Sequence, residues 1–229
     1  EIPEFNDTPD EAMAAAENAQ NGVIDLTNNI AGGVYTITSA GDYKFTCKES
    51  LETSNRIVVD GKNISAEANI NIYLDNVNIK TSVGPALKID DTVNAKVTIY
   101  LTGTNNLIAI DQRSAGLQKN NKVQLIITSA SNATTGSLKA SGVYGAGIGS
   151  SYDGSCDNIT INSGFIDAKS EFGAGIGGGY YGSCDNITIN SGSVNAESWH
   201  SAGIGGGYYG SCNNITVNGG SVTASSAQG

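Results

Sequence analysis

Residues 143–226 carry one 28-residue unit three times over, starting at Val143, Glu171 and Trp199 and aligning without a gap. Gly147-Ile148-Gly149 falls on Gly175-Ile176-Gly177 and Gly203-Ile204-Gly205, and Cys156 falls on Cys184 and Cys212. Asn158-Ile159-Thr160 likewise falls on Asn186-Ile187-Thr188 and Asn214-Ile215-Thr216. Self-similarity at such a period marks stacked units, each burying its apolar face only against its neighbours. A helical solenoid is excluded, because every unit is rich in glycine and nearly free of Leu, Lys and Glu. The apolar residues alternate instead. Ile159 and Ile161 share one face while Thr160 takes the other, as in a half-buried strand. Residues 165–168 and 146–148 read as two further short strands, separated by Asn-Ser-Gly and Gly-rich corners. Three strands and three corners per unit predict an all-β chain wound as a single-stranded parallel β-helix. Equivalent residues then stand in columns, about 4.8 Å apart from rung to rung.

Upstream the rhythm is irregular but present. Ile72-Tyr73-Leu74 recurs as Ile99-Tyr100-Leu101 and as Ile126-Ile127-Thr128. Ala86-Leu87, Gly116-Leu117, Gly147-Ile148, Gly175-Ile176 and Gly203-Ile204 form a second column. Residues 23–229 are therefore expected to form one β-helix domain of about seven rungs. Residues 1–22 read as an N-terminal extension with a short capping helix. Thr8 is its N-cap, Pro9 its first helical residue and Glu11 completes a capping box, with Asn21-Gly22 ending the Ala-rich run. Such a helix suits the open end of a β-helix, which would otherwise pair with another chain. Residues 227–229 begin a fourth unit without a polar cap. The last rung is thus expected to be continued by further chain or covered by another molecule, a second copy of this chain included.

The formal charge of −10 and pI near 4.4 argue against nucleic acid or an anionic membrane as partner. No run of about 18 apolar residues is present, so no membrane insertion is expected. Three of the four cysteines share one column, and Cys47 lies apart. Their simplest reading is a ladder of small buried thiols, with a disulfide between adjacent rungs as the alternative. Thiols stacked along one axis do not make a tetrahedral metal site.

Tyr152, Tyr181 and Tyr209 are read as one exposed column on a Gly-rich corner, with Tyr180 and Tyr208 beside it. Phenol rings with polar tips suit sugars, through apolar contact and hydroxyl hydrogen bonds; the competing reading is a ladder that only packs the corner. Tyr144, Phe172 and His200, with Trp199 adjacent, form a second column suited to contact with a neighbouring molecule. Asn63, Asn132, Asn158, Asn186 and Asn214 begin formal N-glycosylation triplets, as does Asn6. Glycans on three adjacent rungs would crowd, so the stacked triplets read first as an asparagine ladder. Candidate catalytic acids do not persist: Asp157 and Asp185 give way to Asn213, and Asp167 to Asn195 and Thr223. The only arginines, Arg56 and Arg113, lie in no column of acids, so a lyase or hydrolase is not expected.

Val34-Tyr35-Thr36-Ile37, Ser39-Ala40-Gly41-Asp42-Tyr43, residues 69–79, Pro85-Ala86-Leu87 and residues 97–106 resemble the carbohydrate-binding-domain family of secreted bacterial surface proteins. The likeness covers roughly residues 33–225 and adds the Gly-Ile-Gly-Gly-Gly repeat common in large surface proteins. It implies a right-handed β-helix similar to pectate lyases and non-catalytic binding of acidic or cellulosic polysaccharide, outside the cell or at its surface. Cofactors would not be required, although calcium occurs in some members; no calcium-ligand motif matches here residue by residue. A structural or adhesive subunit of a surface filament, stacked end to end, is the alternative function.

Overall fold

A computed structural model describes residues 22–130 and 136–228. The expected capping helix, Asn6 and Asn132 lie outside the described residues. All of the pairing is parallel and runs in three sheets along one axis. The first and longest sheet stacks eight strands, from Val23–Asp25 and Gly41–Thr46 to Cys184–Ile189 and Cys212–Val217. The second has seven strands, from Val34–Ile37 to Ile204–Gly205, and the third has six, from Asn78–Thr81 to Ser221–Ser226. Five turns contain all three strands, and in a sixth Thr53 bridges to Ile79 where a third-sheet strand would lie. Partial turns flank these, so the solenoid has about six full turns where about seven were expected.

Columns of aliphatic side chains fill the interior. Ile70, Val97, Leu125, Ile159, Ile187 and Ile215 stand in file on the first sheet, and Ile57, Leu87, Leu117, Ile148, Ile176 and Ile204 on the second. The third sheet contributes Ile79, Leu107, Ala140, Ala168 and Ala196. Most of these side chains are fully buried, so neighbouring rungs remove each other's apolar surface from water. One register differs from the sequence reading. Ile127, not Ile126, lies under Ile99, because that step is 28 residues where the one before it, from Ile72, is 27.

The regular strands of the first sheet also carry a bulge. Asn158, Asn186 and Asn214 adopt φ of 56°, 56° and 57° and are skipped in the register between Asp157 and Ile159 and their equivalents. Asn tolerates this left-handed conformation better than other side chains with a Cβ. The bulge restores Ile159 and Ile161 to the inside while Cys156 also points inward. A continuous asparagine ladder does form, four residues further along each unit. Asn190 Nδ2 donates to Asn162 Oδ1 and Asn218 Nδ2 to Asn190 Oδ1, both at 2.8 Å.

Cys156, Cys184 and Cys212 stand in one file, as the period requires. They are not a ladder of free thiols, however. Cys156 and Cys184 form a disulfide across adjacent rungs, with Cα atoms 4.7 Å apart. Cys212 and the buried Cys47 remain free.

Candidate functional site

The aromatic corner exists because the second sheet is so narrow in the regular units. Its strands there are only Ile148–Gly149, Ile176–Gly177 and Ile204–Gly205, so the corners before and after each strand stand side by side. Gly149 and Gly177 permit this, with φ of 141° and 134°. A Cβ on either would collide with the carbonyl oxygen of the equivalent glycine one rung on.

Three files of rings result. Tyr144 stacks on Phe172 (centroids 4.5 Å, 10° between planes) and Phe172 on His200 (4.6 Å, 7°). Tyr152, Tyr180 and Tyr208 form the second file, at 5.6 Å and 5.4 Å. Tyr181 and Tyr209 form the third, at 5.2 Å. Between files the contacts turn edge to face: Phe172 to Tyr180 at 6.0 Å and 79°, and Tyr180 to Tyr209 at 5.3 Å and 87°. This herringbone satisfies ring quadrupoles along and across the axis at once.

All five candidate tyrosines therefore come together, but in different columns from those expected. Tyr152 sits over Tyr180 and Tyr208, whereas Tyr181 and Tyr209 continue the position of Asp153. The second expected file, Tyr144, Phe172 and His200, adjoins the first as one continuous surface. Tyr181, Tyr208 and Tyr209 are exposed, and Tyr144, Tyr152, Phe172 and Tyr180 are half-buried. Because the rings stack within each file, most ring faces are covered by a neighbouring rung. Burial against neighbouring rings pushes the Tyr152 and Tyr180 phenols up, reinforced by interaction with the Tyr181 and Tyr209 hydroxyls respectively.

Arg113 closes the array at the first of these rungs. Its guanidinium lies 4.9 Å from the Tyr152 centroid and holds both carboxylate oxygens of Asp153 at 2.9 Å. A lone arginine outside any acidic column gave the sequence reading no reason to single it out; its partner appears only once residues 113 and 153 are adjacent in space.

Trp199 is half exposed, and no aromatic ring pairs with it among the described residues. It borders an open cavity of about 390 Å³, also lined by Ser141, Gly142, Lys169, Ser170 and Glu171.

At the stacked triplets the side-chain nitrogens are already engaged. Asn158 Nδ2 donates to the Lys122 carbonyl at 2.7 Å, Asn186 Nδ2 to Asp157 Oδ1 at 3.0 Å and Asn214 Nδ2 to Asn186 Oδ1 at 3.1 Å. Asn63 is exposed. Among the described residues no three His, Cys, Asp or Glu side chains come together as a metal site. No helix among them is long and apolar enough to cross a membrane.

Lys119, which the sequence reading passed over, is fully buried. It follows Leu117 by two residues on one strand and pairs in register with Ile89, so it points inward. Its Nζ donates to the carbonyls of Asn121 and Asp157 at 2.7 and 2.5 Å. Burial pulls its pKa down to about 7, partly opposed by the Asp157 charge.

A family model described as a beta helix repeat matches residues 136–152, 159–180 and 187–208. Each matched segment from the second onward begins at the bulged strand and runs through the aromatic corner to a tyrosine. Comparison with curated proteins and with solved structures returns no match.

Proposed function

We propose that this parallel β-helix repeat protein is a non-catalytic polysaccharide-binding protein of the extracellular space or cell surface, and that its ligand lies against the aromatic corner. The observation that carries this reading is the ordered exposure of Tyr181, Tyr208 and Tyr209, at 51%, 50% and 63%, in a rigid herringbone of rings. Tyrosines held this way offer amphipathic contact area with little conformational entropy left to lose. Their exposed phenols suit the alternating C–H and O–H surface of a sugar chain. The resemblance to surface carbohydrate-binding domains supports the same reading. Binding of this kind needs no cofactor.

Tyr181→Ala combined with Tyr209→Ala removes the outermost file without touching the interior. A pull-down against insoluble polysaccharides, or a glycan array, is expected to show at least tenfold weaker binding for this variant. Retention of full binding would defeat the assignment to the tyrosines.

A second reading, a subunit of a surface filament, has its own observation. Ile215 and Val217 continue the buried isoleucine columns of the first sheet yet are 44% and 52% exposed. They are the surface on which another rung would pack, whether from the same chain or from a second copy. Electron microscopy of native material separates the readings: filaments with one solenoid repeat per subunit favour the second, and monodisperse particles defeat it.

A further inference from the structure

We infer that the cavity beside Trp199 is a subsite for a short stretch of uncharged polysaccharide, with one sugar ring resting on the indole and uronic-acid chains rejected. This deepens the polysaccharide reading above and rests on it.

The cavity spans three successive turns: Ser141 and Gly142 on one, Lys169 to Glu171 on the next and Trp199 on the third. That is roughly 10 Å along the axis, about the length of two sugar residues. Its volume of about 390 Å³ lies within the usual range for small-ligand sites. The aromatic corner stacks its rings on one another, but Trp199 joins no such stack and stands 51% exposed. An indole is the largest apolar platform a side chain offers to the C–H face of a sugar. Neither its N–H nor the Glu171 carboxylate takes part in a hydrogen bond or ion pair among the described residues, so a donor and an acceptor stand ready for hydroxyls.

Charge decides between ligand classes. Among the described residues Lys169 is the only cation lining the cavity, and it is already held by Glu197 at 2.8 Å, with Asp167 at 3.9 Å. Glu171 adds a third carboxylate. Even counting Lys139, opposite Asp167 in the ladder, acids outnumber bases by three to two. A chain carrying a carboxylate on each sugar would meet repulsion here, on top of the protein's overall negative charge.

Trp199 is the sole tryptophan, so its fluorescence reports this site alone. The experiment titrates uncharged gluco-, manno- and galacto-oligosaccharides and the corresponding uronic-acid oligomers, following tryptophan emission and iodide quenching, with calorimetry for affinity. At least one uncharged oligomer is expected to shift the emission and shield it from iodide, while the uronates do neither. Trp199→Ala should weaken calorimetric binding of that oligomer about tenfold or more. Glu171→Gln should bring uronate binding closer to that of the uncharged chain. If Tyr181→Ala/Tyr209→Ala weakens polysaccharide binding while Trp199→Ala does not, or if uronates bind more tightly, the subsite is overturned and the corner reading stands. If no sugar of either class binds, both fall.

Discussion

Replacing Lys119 by methionine is expected to change how stability depends on pH. Burial lowers the folded-state pKa to about 7, whereas an unfolded chain holds the proton to near 10.5. Below pH 7 both states carry the charge, and the folded state bears the full unfavourable cost of burying it. As pH rises between these values the folded protein releases a proton that the unfolded chain retains, so stability increases. The full difference corresponds to ~5 kcal/mol, of which ~2 kcal/mol falls between pH 7 and pH 9. Other groups titrate in this window, among them Cys212, whose thiol burial pushes up to about 11 and which acts in the opposite direction. Comparison with Lys119→Met removes them, since they are common to both proteins. Urea unfolding followed by circular dichroism at pH 7, 8 and 9 measures the difference. The native protein should gain on the variant by ~2 kcal/mol across this range. At pH 7 the variant loses two hydrogen bonds to carbonyls, so its absolute stability is the less informative number. Two curves that run parallel from pH 7 to pH 9 would refute a buried, proton-releasing Lys119.

The disulfide between Cys156 and Cys184 closes a loop of 28 residues, and its reduction should lower stability by ~3.5 kcal/mol, measured as a shift in urea midpoint. In the native protein a thiol reagent should label Cys212 slowly, because its raised pKa leaves little thiolate, and leave Cys156, Cys184 and the buried Cys47 unmodified, as peptide mass mapping will show. Gly177→Ala sets a Cβ against the next rung's backbone at a positive φ and should cost at least ~2 kcal/mol in thermal or urea unfolding. An equally stable variant would contradict the tight passage of rungs at this corner.

Much of the architecture was legible because an unbroken 28-residue period fixes which residues stack. The files of Ile148, Ile176 and Ile204, and of Cys156, Cys184 and Cys212, follow from counting alone. The tyrosines show where inspection departs from counting. A Tyr-Tyr doublet offers two partners for Tyr152, and strict addition of 28 selects Tyr180, which the structure bears out. The place of Ile126 departs from counting for a related reason: upstream the period is not constant, being 27 residues from Ile72 to Ile99 and 28 from Ile99 to Ile127. The bonded state of the cysteines was not legible, because register places two sulfurs near each other without choosing between thiols and a bridge. The inward position of Lys119 was available from strand alternation, but its charge argues against burial, and only its neighbours' carbonyls make the placement tolerable. The face-to-face stacking of the rings, and so the covering of their faces, required coordinates.

That stacking has a consequence for any linear molecule laid along the corner. Phenol rings recur with centroids 5.2 to 5.6 Å apart and look nearly alike from each turn to the next. A polymer moved by one step meets almost the same surroundings it left. The corner alone would then hold such a chain firmly against departure yet only loosely against sliding lengthwise, and a single distinctive side chain off the file, such as Trp199, would be what pins it in place.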